Sequence, residues 1–107
     1  MAASVDTLFT ALADPTRRAI FQRLSRDGEQ TVHALTGHAG VSQPAVSKHL
    51  AVLKRARLVR DRRAGRETYY RARIEGLAPL IDWMGLYADF WRKRLDALED
   101  LLDRMDR

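Results

Sequence analysis

The chain contains no cysteine, which excludes disulfides, thiolate metal sites and cysteine redox sensing together. It has no apolar run approaching the roughly 20 residues that span a bilayer, and its N-terminus lacks a secretory-leader pattern. A cytoplasmic protein with no membrane partner is therefore expected. A Ser-His-Asp arrangement, a Gly-rich phosphate loop and an HExxH run are also missing, so the sequence gives no grounds for an enzyme or a cofactor. Aromatic residues make up only 7% of the chain, and no platform for stacking single-stranded bases can be made out. Tyr69 and Tyr70 are adjacent in an extended segment and so point to opposite faces.

What the chain does have is charge, unevenly placed. Residues 1–74 carry 14 Lys and Arg against 6 Asp and Glu, net +8, whereas residues 75–107 carry 5 against 8, net −3. A basic front suits a polyanion, and an acidic tail suits some other task. With 46% apolar and 31% charged residues over 107 positions, the expectation is one globular domain, 1–107, with one modest core.

The most informative stretch runs from Val41 to Arg55. Val46, Leu50 and Leu53 recur at i, i+4 and i+7, the row a helix buries. Gln43, Ser47 and Lys54 lie on the opposite side, flanked by Pro44, Lys48 and Arg55. Ser42 suits the N-cap, and Pro44 falls in the first turn, where a missing N–H is harmless. A helix over 42–56 with short polar groups outward and positive charge on its flank suits a major groove. An ordinary solvated surface helix is the plain alternative.

Upstream, Leu8, Phe9 and Leu12 mark a short first helix from Ser4 to Ala13. Asp14-Pro15 breaks and restarts the chain, and the second helix runs to about Arg26 with Ala19, Ile20 and Leu24 inward and Gly28 as its stop. Arg17 and Arg18, near its start, are either solvated or matched to a phosphate. Thr31 caps a third helix through about His38, with Val32 and Leu35 inward, and a Gly-containing turn leads to Ser42. Helix, short turn, groove-suited helix is a helix-turn-helix.

Downstream, residues 58–72 alternate about a turn at Ala64-Gly65, giving a hairpin that carries Arg60, Arg62, Arg63 and Arg66. A lone hairpin is marginal in water, so it should lean on the helices as a wing. From 76 to 105 one long helix is expected. Ile81, Ala88, Leu95 and Leu102 alternate with Met84, Trp91, Leu98 and Met105 at 3.5-residue spacing. Trp83, Phe90, Ala97, Tyr87 and Leu101 widen the face. A second subunit would cover it, or the first helix would; the aromatics are either core or the border of an effector pocket.

Three segments together, Ala11-Leu12-Ala13-Asp14-Pro15-Thr16-Arg17-Arg18, Val41 through Leu50, and Leu58-Val59, resemble the ArsR/SmtB-type winged-helix repressors. The tail Tyr87 to Asp96 is similar to a metal-independent branch. The resemblance implies a mainly α fold with a small β-hairpin, a winged helix-turn-helix of five helices, homodimeric through the first and last. Leu8, Ile81, Met84, Tyr87, Ala88, Trp91, Leu95, Leu98 and Leu102 would form the interface. It implies repression from a palindromic double-stranded operator, with Gln43, Pro44, Ala45, Ser47 and Lys48 meeting bases. Gln43 can pair with adenine; Ser47 can serve several edges; Pro44 and Ala45 can meet a thymine methyl; Lys48 can take guanine or a phosphate. Arg17, Thr31, Ser42, His49, Lys54, Arg62, Arg63 and Arg66 are candidates for the DNA backbone, although a half-buried His49 is an equal reading.

One departure from the family stands out. Arg57 occupies a position that usually holds glycine, so it must either accept strain or extend the helix. Metal sensing, the family's best-known activity, lacks its usual ligands: Thr31 to Leu35 has no cysteine, and the last helix has no histidine. A nickel or zinc site built from His33, His38 or His49 with carboxylates is the alternative, as is a dimeric RNA- or protein-binding module. No effector can be named.

Overall fold

The computed structural model describes residues 2–106. Each early helix begins where a short polar side chain can accept from the backbone. The Ser4 hydroxyl accepts from Thr7 N at 3.1 Å and starts α1 (Val5–Ala13). The Asp14 carboxylate accepts from Thr16 N at 2.8 Å and Arg17 N at 3.0 Å and starts α2 (Pro15–Asp27). The bond from Arg17 N, then that from Thr16 N, holds the Asp14 carboxyl below its ordinary range against the opposing effect of burial. Thr31 caps α3 (Val32–Ala39), accepting from Ala34 N at 3.0 Å, and Ser42 caps α4 (Gln43–Arg55), accepting from Ala45 N at 3.3 Å.

The core is one cluster drawn from α1, α2, α3, α4 and the start of the hairpin. Leu8, Leu35, Val46, Leu50, Leu53 and Leu58 are all at most 1% exposed, with Ile20, Phe21 and Leu24 of α2 beside them. Two expectations are corrected. Ala19 is exposed and Phe21 takes its place inside, so α2 buries a face one residue further round. Leu8, expected at a subunit interface, is 0% exposed within the subunit and serves its own core.

The hairpin, β2 (Val59–Ala64) and β3 (Glu67–Ala72), is present with its turn at Gly65-Arg66, one residue beyond the expected Ala64-Gly65, and a two-residue strand, β1 (Gln30–Thr31), extends it. The order is β1-β3-β2, all antiparallel, with Thr31 opposite Tyr69 and Arg62 opposite Tyr69 on the other side. The wing is thus tied by main-chain pairing to the residues immediately before α3.

Arg57 resolves the question the sequence left open. It adopts φ 60°, the left-handed region that favours glycine. Around it Leu58 N donates to Leu53 O at 2.9 Å and Arg57 N to Lys54 O at 3.0 Å, the paired bonds of a Schellman stop. Leu53 and Leu58, both fully buried, supply the hydrophobic contact that goes with that motif. The strain is accepted because the stop aims Leu58 and Val59 into the core. Arg57→Gly should relieve it and raise stability by about 0.5–1 kcal/mol, read as a higher urea midpoint at unchanged slope.

The single long helix expected over 76–105 is also corrected. A 3-10 turn (Ile74–Leu77) leads into α5 (Ala78–Gly85), and α6 (Ala88–Met105) follows after a break at Leu86 and Tyr87. There Leu86 N and Tyr87 N turn back to Trp83 O and Met84 O at 3.2 and 3.0 Å, tightening the backbone after Gly85. α5 is held against α1 by aromatic contact, Trp83 standing edge-on to Phe9 with centroids 5.4 Å apart and Tyr87 5.3 Å from Trp83. α6 has no such anchor. Every described residue from Ile81 onward is exposed, including Trp91 at 60% and Leu95 at 62%.

Candidate nucleic-acid interface

α4 separates its residue types by face. Val46, Leu50 and Leu53 are 0% exposed and fix the helix on α2 and α3. Gln43, Pro44, Ser47, Lys48, Lys54 and Arg55 are exposed on the other side, and Ala45 and His49 are half-buried between the two. Since α4 is pinned by three inward side chains, its outward row is presented rigidly. That is what reading base edges requires, because each bidentate contact depends on side-chain placement. His49 stands close enough to Asp14 to help lower that carboxyl's pKa.

The wing's arginines fall on two faces, because side chains alternate along a strand. Asp61 and Arg63 of β2 share a face with Tyr70 of β3; Arg60 and Arg62 share the other with Tyr69 and Arg71. The first face looks toward α4, as the Lys54 ammonium sits 3.0 Å from the Asp61 carboxylate. Arg63 therefore shares a side with the groove-suited helix, and Arg66 lies in the turn itself, after Gly65. Arg62 points the other way. Its guanidinium grips Glu29 through three bonds of 2.6 to 3.1 Å and lies 4.6 Å over the Tyr69 ring.

Several expected backbone contacts thus have partners inside the chain. Arg17 donates through Nε to Ala11 O at 2.7 Å and through Nη2 to Thr10 O at 3.0 Å; Arg18 reaches Leu12 O and Ala13 O. Both arginines satisfy the last carbonyls of α1, where a helix end favours positive charge. Arg17 is thus engaged through two of its nitrogens, and Arg18, which stays exposed, through Nη1. The hydroxyls of Thr31 and Ser42 are engaged as caps, at the N-termini of α3 and α4.

Glu29 was not picked out from the sequence, and no local signal marks it, since its partner Arg62 is 33 residues away. The bond from Arg62 holds the Glu29 carboxyl below its ordinary range. A carboxylate depressed in this way contributes only while ionised, so its hold is complete above the unfolded value and is lost as pH falls through the folded one. Glu29→Ala should lower the amide protection factors along β2, and acidification of the unsubstituted chain, once the slower intrinsic exchange at low pH is divided out, should do the same.

Among the described residues no three His, Asp or Glu side chains stand together as a metal-binding group, and no helix is long and apolar enough to cross a membrane. His33 and His38 are exposed on α3.

A tight α2-α3-α4 unit with an exposed polar helix and a β-wing alongside defines a winged helix-turn-helix domain. Residues 12–62 match a family model described as "Helix-turn-helix domain". The helix-turn-helix-type transcriptional regulator Rv2034 of Mycobacterium tuberculosis is 45% identical over 100 residues, covering 94% of this chain and 90% of that protein. The transcriptional repressor SdpR of Bacillus subtilis is 36% identical over 80 residues, 75% of this chain and 88% of its own. The solution structure of the homodimeric winged helix-turn-helix DNA-binding domain of Mb0332 from Mycobacterium bovis, described as a possible ArsR-family regulator, is similar at TM-score 0.63 and 34% identity, covering 79% and 78% of the two chains. The chain belongs to the ArsR family of winged helix-turn-helix transcriptional regulators.

Proposed function

We propose that two copies of this chain, joined through the apolar faces of α5 and α6, repress transcription in the cytoplasm by occupying a palindromic operator. The observation that carries this reading is the division of α4 into a fully buried apolar row and an exposed polar row beside a basic wing. Each α4 enters a major groove, with Gln43, Pro44, Ala45, Ser47 and Lys48 toward the bases. The starts of α3 and α4, at Thr31 and Ser42, offer backbone N–H groups to phosphates. His49, Arg63 and Arg66 hold the backbone on either side, joined by Lys54, whose exposed pairing with Asp61 at 3.0 Å gives way to the phosphate. Arg17 and Arg62, both engaged within the subunit, are left out of the contact set.

Support for the pairing comes from the row of Met84, Trp91, Leu95, Leu98 and Leu102, each more than half exposed, for which the subunit supplies no cover. The homodimeric Mycobacterium bovis domain supports it as well, and the Bacillus subtilis repressor supports the direction of control.

Selection of bound duplexes from random DNA, followed by fluorescence anisotropy, tests the reading. Gln43→Ala should cost about 1–3 kcal/mol and relax one base position in each half-site. Binding should also weaken with salt, with a log–log slope near −0.9 for each phosphate neutralised. Unchanged discrimination in Gln43→Ala would place the wrong face of α4 in the groove.

A further inference from the structure

On the far side of the helix-turn-helix, a groove of about 330 Å³ runs between α2 and α3, and no residue of α4 or the wing lines it. Its volume lies in the range of small-molecule sites. Ile20 and Leu35, both nearly fully buried, make an apolar floor, and Ala19 lines one wall. Arg23, Arg26 and His38 line the groove as well.

The rim holds a feature the fold does not explain. The Nε of Arg23 is buried with no hydrogen-bond acceptor. The nearest carboxylate, Asp27, is 3.8 Å from it and 3.7 Å from the Nε of Arg26, too far to accept a bond from either. One carboxylate thus serves two guanidinium groups at long range. A buried donor without a partner costs free energy, so the partly exposed Arg23 side chain gains by turning its fork into the groove, where an arriving carboxylate would supply two acceptor oxygens.

We propose that this groove binds a small monocarboxylate with a compact apolar body, the body on Ile20 and Leu35 and the carboxylate on Arg23 and Arg26. The site is separate from the operator-reading surface and does not depend on it. α3 packs against α4 as well as α2. A ligand there changes operator affinity only so far as it distinguishes the DNA-bound subunit from the free one.

The probe is 3-phenylpropionate, titrated into the full chain and followed by amide chemical shifts, with 3-phenylpropanol as the uncharged control. Saturable shifts confined to α2 and α3 are expected, with the alcohol and Arg23→Gln each weaker by about tenfold or more, the loss of one charge-assisted pair. Ala19→Leu, at an exposed helical position that lines the groove, should block binding while leaving the rest of the spectrum in place. Equal binding of acid and alcohol, shifts centred on the aromatic face of α5 and α6, or no saturable shift would each overturn the proposal.

Discussion

Leu95→Glu combined with Leu102→Glu should give a monomer whose operator affinity is lower by about a hundredfold or more. Seven large apolar side chains from Phe90 to Met105 are between 51% and 72% exposed, and they form a continuous band along α6. Covering them in a partner gains on the order of 5–10 kcal/mol per subunit before the cost of association. Carboxylates at 95 and 102 would have to be buried in that band and would remove most of the gain. Two linked reading helices bind more tightly than one because the second docking step is intramolecular, an advantage of about 10²–10⁴. Since α6 contributes nothing to the core, the variant should keep the far-ultraviolet spectrum and melting behaviour of a folded subunit. Sedimentation reports the assembly and anisotropy the affinity. A double variant that stayed dimeric would move the interface elsewhere.

Gly76→Ala should be the most destabilising single-methyl change in the molecule. A Cβ at Gly76 would overlap the carbonyl oxygen of Arg57 and approach its carbonyl carbon at 3.1 Å. That carbonyl has nowhere to go. It belongs to the left-handed stop of α4, and the Arg73 guanidinium donates to it at 3.0 Å. The Leu58 side chain, 3.4 Å from the same Cβ, is fully buried. The adjustment must therefore come from backbone, and the cost should reach about 3 kcal/mol, the upper part of the overpacking range. For a chain of this size the melting midpoint should drop by more than about 10 °C. A midpoint within a few degrees of the parent would show that the turn at 74–77 can shift away from the end of α4.

How far these features can be read in the sequence depends on how far apart the partners lie. The caps at Ser42, Asp14 and Thr31 are local, each acceptor serving an N–H no more than three residues on, so residue type and spacing reveal them. The buried row of α4 was equally legible, because the period of the helix writes it into the order of residues. The Glu29–Arg62 grip spans 33 residues and leaves no local mark. Arg17 and Arg18 looked available for phosphates because reading forward along α2 says nothing about the carbonyls behind them. The break after Gly85 was hidden for another reason: apolar residues continue at coiled-coil spacing on both sides of it. Periodicity records which residues want cover and says little about whether the axis beneath them is straight. The resemblance put Leu8 at the subunit interface, since a likeness between families assigns a whole helix and cannot say which of its side chains the subunit covers for itself.

The bend at Gly85 to Tyr87 has a consequence for how such an assembly measures DNA. α5 is fastened to the reading domain through Trp83 and Phe9, while α6, in the pairing proposed above, lies in the seam between subunits. The angle between them is therefore the protractor that sets how far apart the two α4 helices are held. Successive grooves on one side of a duplex recur about every 34 Å, so a few degrees at this elbow translate into a spacer longer or shorter by a base pair. A regulator of this build could acquire a new operator spacing by changing its elbow, with every base-reading residue left as it is.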